Sequence, residues 1–321
     1  MKFRTEVDIK ESKQKIGIED KIFSIGSCFA TEMSELFQQG QLQTVNNPFG
    51  TIFNPYSISN AVKRLHDSEF YREEDLVTYN DEFISLDHHT SFNTRYIHKT
   101  LENINSGIEE GNLFLQSANW IIVTYGTSYI YEFLPKGRLV ANCHKIPQKF
   151  FKKRLLTHTE LVDSIYNTIL NLKDICVEDV QVLFTVSPVR HTKDGMVENQ
   201  LSKSKLIAAV HECISIFDNC HYLPVYEILM DDLRDYRFYK DDLIHPSSQA
   251  VQYIFEKFGA AYFSEEAKDF IEENFKINKA LEHKTQDDKN PKYIEFREKL
   301  DKRIEAQQSK VKHKIFQFSN D

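Results

Sequence analysis

Cys28 stands in Gly26-Ser27-Cys28-Phe29-Ala30, where the apolar run Lys21-Ile22-Phe23-Ser24-Ile25 gives way to helical spacing. Phe29, Met33, Leu36 and Phe37 fall on one face of that helix, and Gly40 supplies its C-cap. A glycine permits a sharp turn at a strand's end. The helix N-terminus that follows offers unpaired N–H groups and a positive partial charge. A thiol at that place is expected to have a lowered pKa, and the thiolate is the form that attacks. Ser27 is the competing nucleophile if the turn is displaced by one residue. The plain alternative is a packed, inert cysteine, since free cysteine is mostly a small buried hydrophobe.

A second constellation lies in Asp241-Asp242-Leu243-Ile244-His245-Pro246, between the last expected strand and the last core helix. Asp242 and His245 can face one another across a tight turn, giving a general base and the carboxylate that orients it. Arg190 and His191 follow Ser187-Pro188 at a strand's end and are expected at the same sheet edge, to hold a substrate anion or carbonyl. A structural ion pair is the alternative for Arg190. Asp87, His88, His89 and His144 have metal-ligating side chains but lack the i,i+4 spacing of helical metal sites, so neither a metal nor another cofactor is expected. Asn199 and Lys203 read as a cap and a solvated helix face. Five cysteines without a Cys-x-x-Cys pair indicate neither a disulfide framework nor a zinc site.

The elements that must position these residues follow from periodicity. Strands are expected at Ile22–Ile25, Trp120–Tyr125, Gln181–Val186 and Tyr222–Tyr226. Between them lie three helices. Leu161, Val162, Ile165, Ile169 and Leu172 follow the capping box Thr157-His158-Thr159-Glu160. Leu206, Ala209, Val210, Cys213, Ile214 and Phe217 mark the second, and Val251, Ile254, Phe255 and Phe258 the third, running from Pro246 to Gly259. This alternation predicts an α/β protein, a three-layer doubly wound parallel sheet. Residues 1–262 are expected to form the main domain, with an irregular insertion over about 45–115 in which only Ile58, Ala61, Val62 and Leu65 define a short helix. Residues 263–321 are expected to be a C-terminal helical extension with a stripe at Tyr293, Phe296, Leu300 and Ile304. That stripe is a docking face for the body or for a second copy in a homo-oligomer.

The motifs Phe23-Ser24-Ile25-Gly26-Ser27-Cys28-Phe29-Ala30 and Asn47-Pro48-Phe49-Gly50-Thr51-Ile52-Phe53-Asn54-Pro55 resemble the GSCFA domain family, which is related to the SGNH (GDSL-type) hydrolases. The resemblance spans roughly residues 20–260, including Tyr125-Gly126-Thr127-Ser128, Asn142-Cys143-His144 and Ser187-Pro188-Val189-Arg190-His191. It implies an SGNH/flavodoxin-like sheet and ester chemistry. Gly26 matches the first-block glycine, Gly50 a second-block glycine, and Asp242 with His245 the terminal Asp-x-x-His. Two departures stand out. The serine position falls on Cys28, with Ser27 in place of the aspartate, and the third-block Asn-Asp falls on Ser128 and Tyr129. A cysteine can still form an acyl intermediate with His245 as base. A lost oxyanion donor typically costs ~10²–10³ in rate. Asn142, or the Gly50 and Cys28 N–H groups with the Ser128 hydroxyl, are the candidates to replace it. The resemblance thus implies a hydrolase or acyltransferase acting on a small-molecule or carbohydrate ester, such as a carbohydrate O-acetyl group. A non-catalytic carbohydrate- or protein-binding module is the other reading.

Composition bounds the rest. The 321 residues, 41% of them hydrophobic, can bury a sizeable core. The formal charge of −8, from 40 basic and 48 acidic residues, is not gathered into a basic patch, which argues against nucleic-acid partners. No run approaches the ~18 apolar residues of a membrane span. The segment Met1–Asp8 lacks the apolar stretch of a secretory signal, so a cytoplasmic location is expected.

Overall fold

The computed structural model describes residues 4–282 and 290–316. Along the chain run β1 (Lys21–Gly26), α1 (Cys28–Gln39), β2 (Gln43–Asn46), α2 (Pro55–Asp67), the hairpin β3 (Val77–Tyr79) and β4 (Glu82–Ile84), and α3 (Ile97–Leu115). There follow β5 (Trp120–Tyr125), β6 (Tyr129–Phe133), β7 (Arg138–Val140), β8 (Phe151–Leu155), α4 (His158–Ile175), β9 (Gln181–Val186) and α5 (Met196–Ile214). The chain continues through β10 (Cys220–Tyr222), the single turn α6 (Val225–Glu227), α7 (Ser248–Tyr262), α8 (Glu265–Leu281) and α9 (Pro291–Gln308).

Five parallel strands in the order β2-β1-β5-β9-β10 form the central sheet. Side chains alternate between its faces. Phe23, Ile25, Val123, Tyr125 and Phe184 pack with apolar residues of α2, α3, α4 and α5, while Ile22, Trp120, Ile122 and Leu183 pack with α1, α7 and α8. The result is the three-layer, doubly wound α/β arrangement, whose direction of winding reverses between β1 and β5. Ligand sites in such sheets form beyond the carboxyl ends of the strands at that reversal.

Of the remaining strands, the β3–β4 hairpin lies within the expected insertion and β6, β7 and β8 lie after it. β6, β7 and β8 form a small antiparallel sheet with its own apolar cluster around Leu86, Phe133 and Phe151. Residues 45–115 hold more regular structure than their pattern suggests. α2 runs from Pro55 with Asn54 as N-cap, and α3 is a full helix whose buried stripe is Thr100, Ile104, Ile108, Gly111 and Leu115. Gly107 of α3 lies so close to Pro48 that a Cβ there would meet its carbonyl oxygen at 2.6 Å. The helix therefore presses directly on the Asn-Pro-Phe-Gly segment.

Two expected element boundaries move. The strand expected over Tyr222–Tyr226 is instead Cys220–Tyr222, because Pro224 has no N–H for the ladder and Val225–Glu227 turns helical. α7 begins after its N-cap Ser247 and continues through Gly259 to Tyr262, with Phe263 packed over the glycine. The boundary expected at residue 262 falls inside one apolar cluster that joins Phe37 of α1, Phe258 of α7, and Phe270 and Ile271 of α8. Asn274 of α8 also donates to the Gly40 carbonyl at 2.9 Å. α9 docks on α8: Leu300 is buried, Arg303 pairs with Glu273 at 2.7 Å, and Gln307 donates to Phe270 O and Asn274 Oδ1. The parts of the expected domain and extension at 1–3, 283–289 and 317–321 lie outside the described residues. Among the described residues, no helix is long and apolar enough to cross a membrane.

Candidate functional site

β1 ends on Gly26 at φ +140°, where a Cβ would lie 2.1 Å from Thr124 O, so only glycine fits the turn. The turn is then tied on both sides. Ser27 N–H donates to Thr124 O at 3.0 Å and Ile52 N–H to Gly26 O at 3.0 Å. Asn47 is the central tie: its Oδ1 accepts from Gly26 N–H at 2.7 Å and its Nδ2 donates to Thr31 Oγ1 at 3.0 Å. Nothing in the spacing of the Asn47–Pro55 motif assigns Asn47 this tie, because its partners Gly26 and Thr31 lie on other elements.

Cys28 opens α1 and is half-buried. Its thiol pKa is raised, not lowered as expected. Burial is the largest cause and the Glu32 carboxylate one turn later adds to it, against the opposing pull of the Cys28 N–H and Lys240. Desolvation of the thiolate outweighs the backbone N–H at the helix start and the Lys240 charge at this depth. Ser27 sits at the N-cap position without a capping bond, 2% exposed, its Oγ buried with no partner. Cys28 is thus the more accessible nucleophile of the two.

Asp242 and His245 meet. His245 Nδ1–H donates to Asp242 Oδ2 at 2.7 Å, and Asp242 Oδ1 accepts the backbone N–H groups of Ile244 (2.8 Å) and His245 (3.0 Å). These bonds hold the Asp242 carboxyl well below its usual range, the His245 backbone bond first. His245 Nε2 makes no hydrogen bond among the described residues. The loop that carries the pair is closed by Lys240 N–H on His245 O (2.8 Å) and by the Tyr239–Pro246 bridge. Lys240 Nζ then reaches Glu32 Oε1 at 2.7 Å, which fastens the loop to the first turns of α1 beside Cys28. Among the described residues, no hydrogen bond joins the thiol itself to His245.

Arg190 braces the far side of that loop. Its N–H donates to Ile244 O and its Nη1 to Leu243 O, both at 3.2 Å, while its guanidinium lies 4.0 Å from the Tyr239 ring. Carbonyls and a ring hold it, in place of the carboxylate considered for it. His191 Nε2 lies 3.0 Å from Asp194 Oδ2, and burial followed by Lys153 lowers its pKa.

The expected oxyanion donors are largely engaged elsewhere. Gly50 N–H closes a turn on Asn47 O at 2.7 Å, and its φ of +69° leaves room for His89 where a Cβ would stand. Ser128 is fully buried with its hydroxyl on Ser202 Oγ at 3.1 Å, because its loop is drawn down onto α5. Asn142 Oδ1 accepts from His144 N–H at 3.0 Å, which leaves its amide N–H groups without a protein partner among the described residues. The Cys28 N–H, at the first helical position, has no carbonyl four residues back to receive it.

Lys203 departs furthest from expectation. It is 1% exposed, and its Nζ donates to Gly126 O (2.6 Å) and Ser187 O (2.7 Å), clamping the carboxyl ends of β5 and β9. Burial alone lowers its pKa to about 7. The signal was present in the sequence: extending the Leu206, Ala209, Val210 stripe back by one and two turns reaches Lys203, Ser202 and Asn199, all buried. Asn199 accepts from His191 N–H at 2.8 Å instead of capping its helix. His88 and His144 are core residues. His88 stacks on Phe49 with centroids 4.5 Å apart and is held neutral by burial, its pKa lowered to about 3, and burial lowers His144 to about 4. Among the described residues, no group of three or more histidine, cysteine or acidic side chains is placed to hold a metal.

Fold and site define a doubly wound α/β protein with its candidate reactive residues beyond the carboxyl ends of parallel strands. The chain belongs to the GSCFA family, whose profile matches residues 21–258. Comparison with curated protein sequences gives no match. Among solved structures, it is similar to a family 3 carbohydrate esterase from Clostridium thermocellum, at 10% identity and TM-score 0.35, over 80% of this chain and 98% of that one. It is also similar to a DUF4886 family protein from Bacteroides uniformis, at 11% identity and TM-score 0.39, over 84% and 98%. A third is a Corynascus carbohydrate esterase family 2 enzyme with a carbohydrate-binding domain, at 10% identity and TM-score 0.38, over 81% and 68%. Likeness at this level says nothing of activity.

Proposed function

We propose that this protein is an ester hydrolase in which Cys28 attacks, His245 moves the proton and Asp242 holds the imidazole. The observation that carries the reading is the Asp242–His245 pair, with Nε2 unengaged, in a loop fastened to α1 by Lys240 and Glu32. Because Asp242 accepts at Nδ1, the neutral ring presents Nε2 as an acceptor. The raised pKa of Cys28 means the resting thiol is protonated. His245 therefore removes the proton as Sγ bonds to the ester carbonyl carbon, and returns it to the alcohol as the C–O bond breaks. Water, deprotonated by His245, then cleaves the thioester and restores the thiol. The Cys28 N–H and the Asn142 amide are the donors proposed for the oxyanion. The substrates proposed are small-molecule or carbohydrate esters.

A second reading, a binding module that has lost the chemistry, is favoured by one observation: the Gly50 N–H and the Ser128 hydroxyl are both engaged within the fold. Hydrolysis of p-nitrophenyl acetate separates the two. The esterase reading expects turnover that vanishes in Cys28→Ala and survives in Ser27→Ala. Equal rates in wild type and Cys28→Ala would leave the binding module.

A further inference from the structure

Away from Cys28 and His245, a cavity of about 200 Å³ is lined by α2, by Tyr71 and Asp87 of the segments that follow it, and by β7. Ser57, Ala61 and Arg64 of α2 form one wall, and Tyr71, Asp87 and Arg138 face them. Ser57 is 7% exposed, and its hydroxyl is buried without a partner. The two guanidinium groups are held in place but not saturated. Arg138 Nη1 reaches both oxygens of Asp87 at 2.9 and 3.1 Å, and Tyr71 OH donates to the same carboxylate at 3.2 Å. Arg64 lies over the Tyr71 ring at 3.9 Å with Nη1 on Glu69 O at 3.2 Å. The Nε and Nη2 groups of both arginines make no hydrogen bond to protein among the described residues.

Charge points the same way. Asp87 balances Arg138, and Lys63, also on the wall, is paired with Asp67. Among the described residues, Arg64 is ion-paired only at 3.8 Å, with Glu69, an exposed carboxylate that also lines the cavity. Two guanidinium groups with N–H groups free of protein partners among the described residues, one of them loosely paired with an exposed carboxylate, and a buried unpartnered hydroxyl together suit an oxyanion, which arginine recognises through paired N–H bonds. A bare buried hydroxyl carries a desolvation penalty that a ligand oxygen removes. The volume is below the ~300–1,000 Å³ of sites for drug-sized ligands. We infer that this cavity binds a hexose-sized polyol carrying a carboxylate or a phosphate. Phe49 of the 47–53 loop lines the cavity and neither Cys28 nor His245 does, so the inference stands whether or not Cys28 attacks esters.

Calorimetric titration of the full chain at low salt, with glucuronate, glucose 6-phosphate and neutral glucose, tests it. One of the two anionic sugars is expected to bind with unit stoichiometry and to weaken as salt is added, while glucose gives no heat; which of the two binds tells carboxylate from phosphate. Ser57→Ala, which removes an unpartnered hydroxyl and so spares the fold, is expected to weaken binding about three- to tenfold. Arg64→Gln is expected to weaken it at least about tenfold, and Cys28→Ala to leave it unchanged. No heat with either anion, equal binding of glucose, or unchanged affinity in Ser57→Ala and Arg64→Gln would overturn the inference.

Discussion

Cys28 and Glu32 are one helical turn apart, and the carboxylate opposes ionisation of the thiol that burial already disfavours. Alkylation by iodoacetamide should therefore rise with pH through a midpoint above the ordinary thiol value of 9.0, with slow reaction at pH 7. In Glu32→Gln the midpoint should fall, because a like charge is removed and Lys240 loses its partner. A wild-type midpoint at or below pH 7 would contradict the protonated resting thiol. At the other end of the pair, Asp242→Asn no longer enforces the Nδ1–H tautomer. If the ester reading holds, p-nitrophenyl acetate turnover should drop by ~10³–10⁴, with little change in melting temperature because Asp242 is exposed.

The strand-to-helix turn after β1 depends on one side chain from another element. Asn47, itself at φ +48°, satisfies the buried Gly26 N–H and holds Thr31. Asn47→Ala leaves that N–H without an acceptor, so chemical denaturation should show a loss of about 1–3 kcal/mol. Gly26→Ala should be worse, by several kcal/mol, because φ +140° and the Thr124 carbonyl both reject a Cβ. A smaller loss in Gly26→Ala than in Asn47→Ala would show that the turn relaxes in a way this geometry does not allow. The loop of His245 is different in kind: its Asx-type bonds run within three residues, so it is shaped locally and only positioned by Arg190 and Lys240.

Over the whole molecule, Lys203 links stability to pH. Its pKa is about 7 in the fold, against an ordinary lysine value of 10.5. Between those values the unfolded chain holds more protons, so stability rises with pH from 7 upward, by at most ~1.4 kcal/mol per unit. Urea denaturation at pH 7.0 and 8.5 should show this gain in wild type and its absence in Lys203→Met; equal slopes would mean the lysine is neutralised by other means. α8 shares the core of α1 and α7, and α9 docks on α8 with Leu300 buried, so Leu300→Ala should destabilise one common transition by about 2–4 kcal/mol and lower its midpoint. Two separate transitions would mean that the C-terminal helices melt on their own.

Strands β1, β5 and β9 were legible because both of their faces are buried and they read as unbroken apolar runs. β2, Gln-Thr-Val-Asn at the sheet edge, carries no such run, and α3 hides its stripe behind Thr100 and Gly111. The sequence by itself determined what is settled within a few residues: the glycine turn, the capping box of α4, and the Asp-x-x-His spacing that lets a carboxylate reach an imidazole. Only the tertiary structure decided which groups lose water and which partners they keep. It raised the pKa of Cys28, tied down the Gly50 N–H and the Ser128 hydroxyl, and buried Lys203. Desolvation depends on what other elements pack over a side chain, and no local spacing records that.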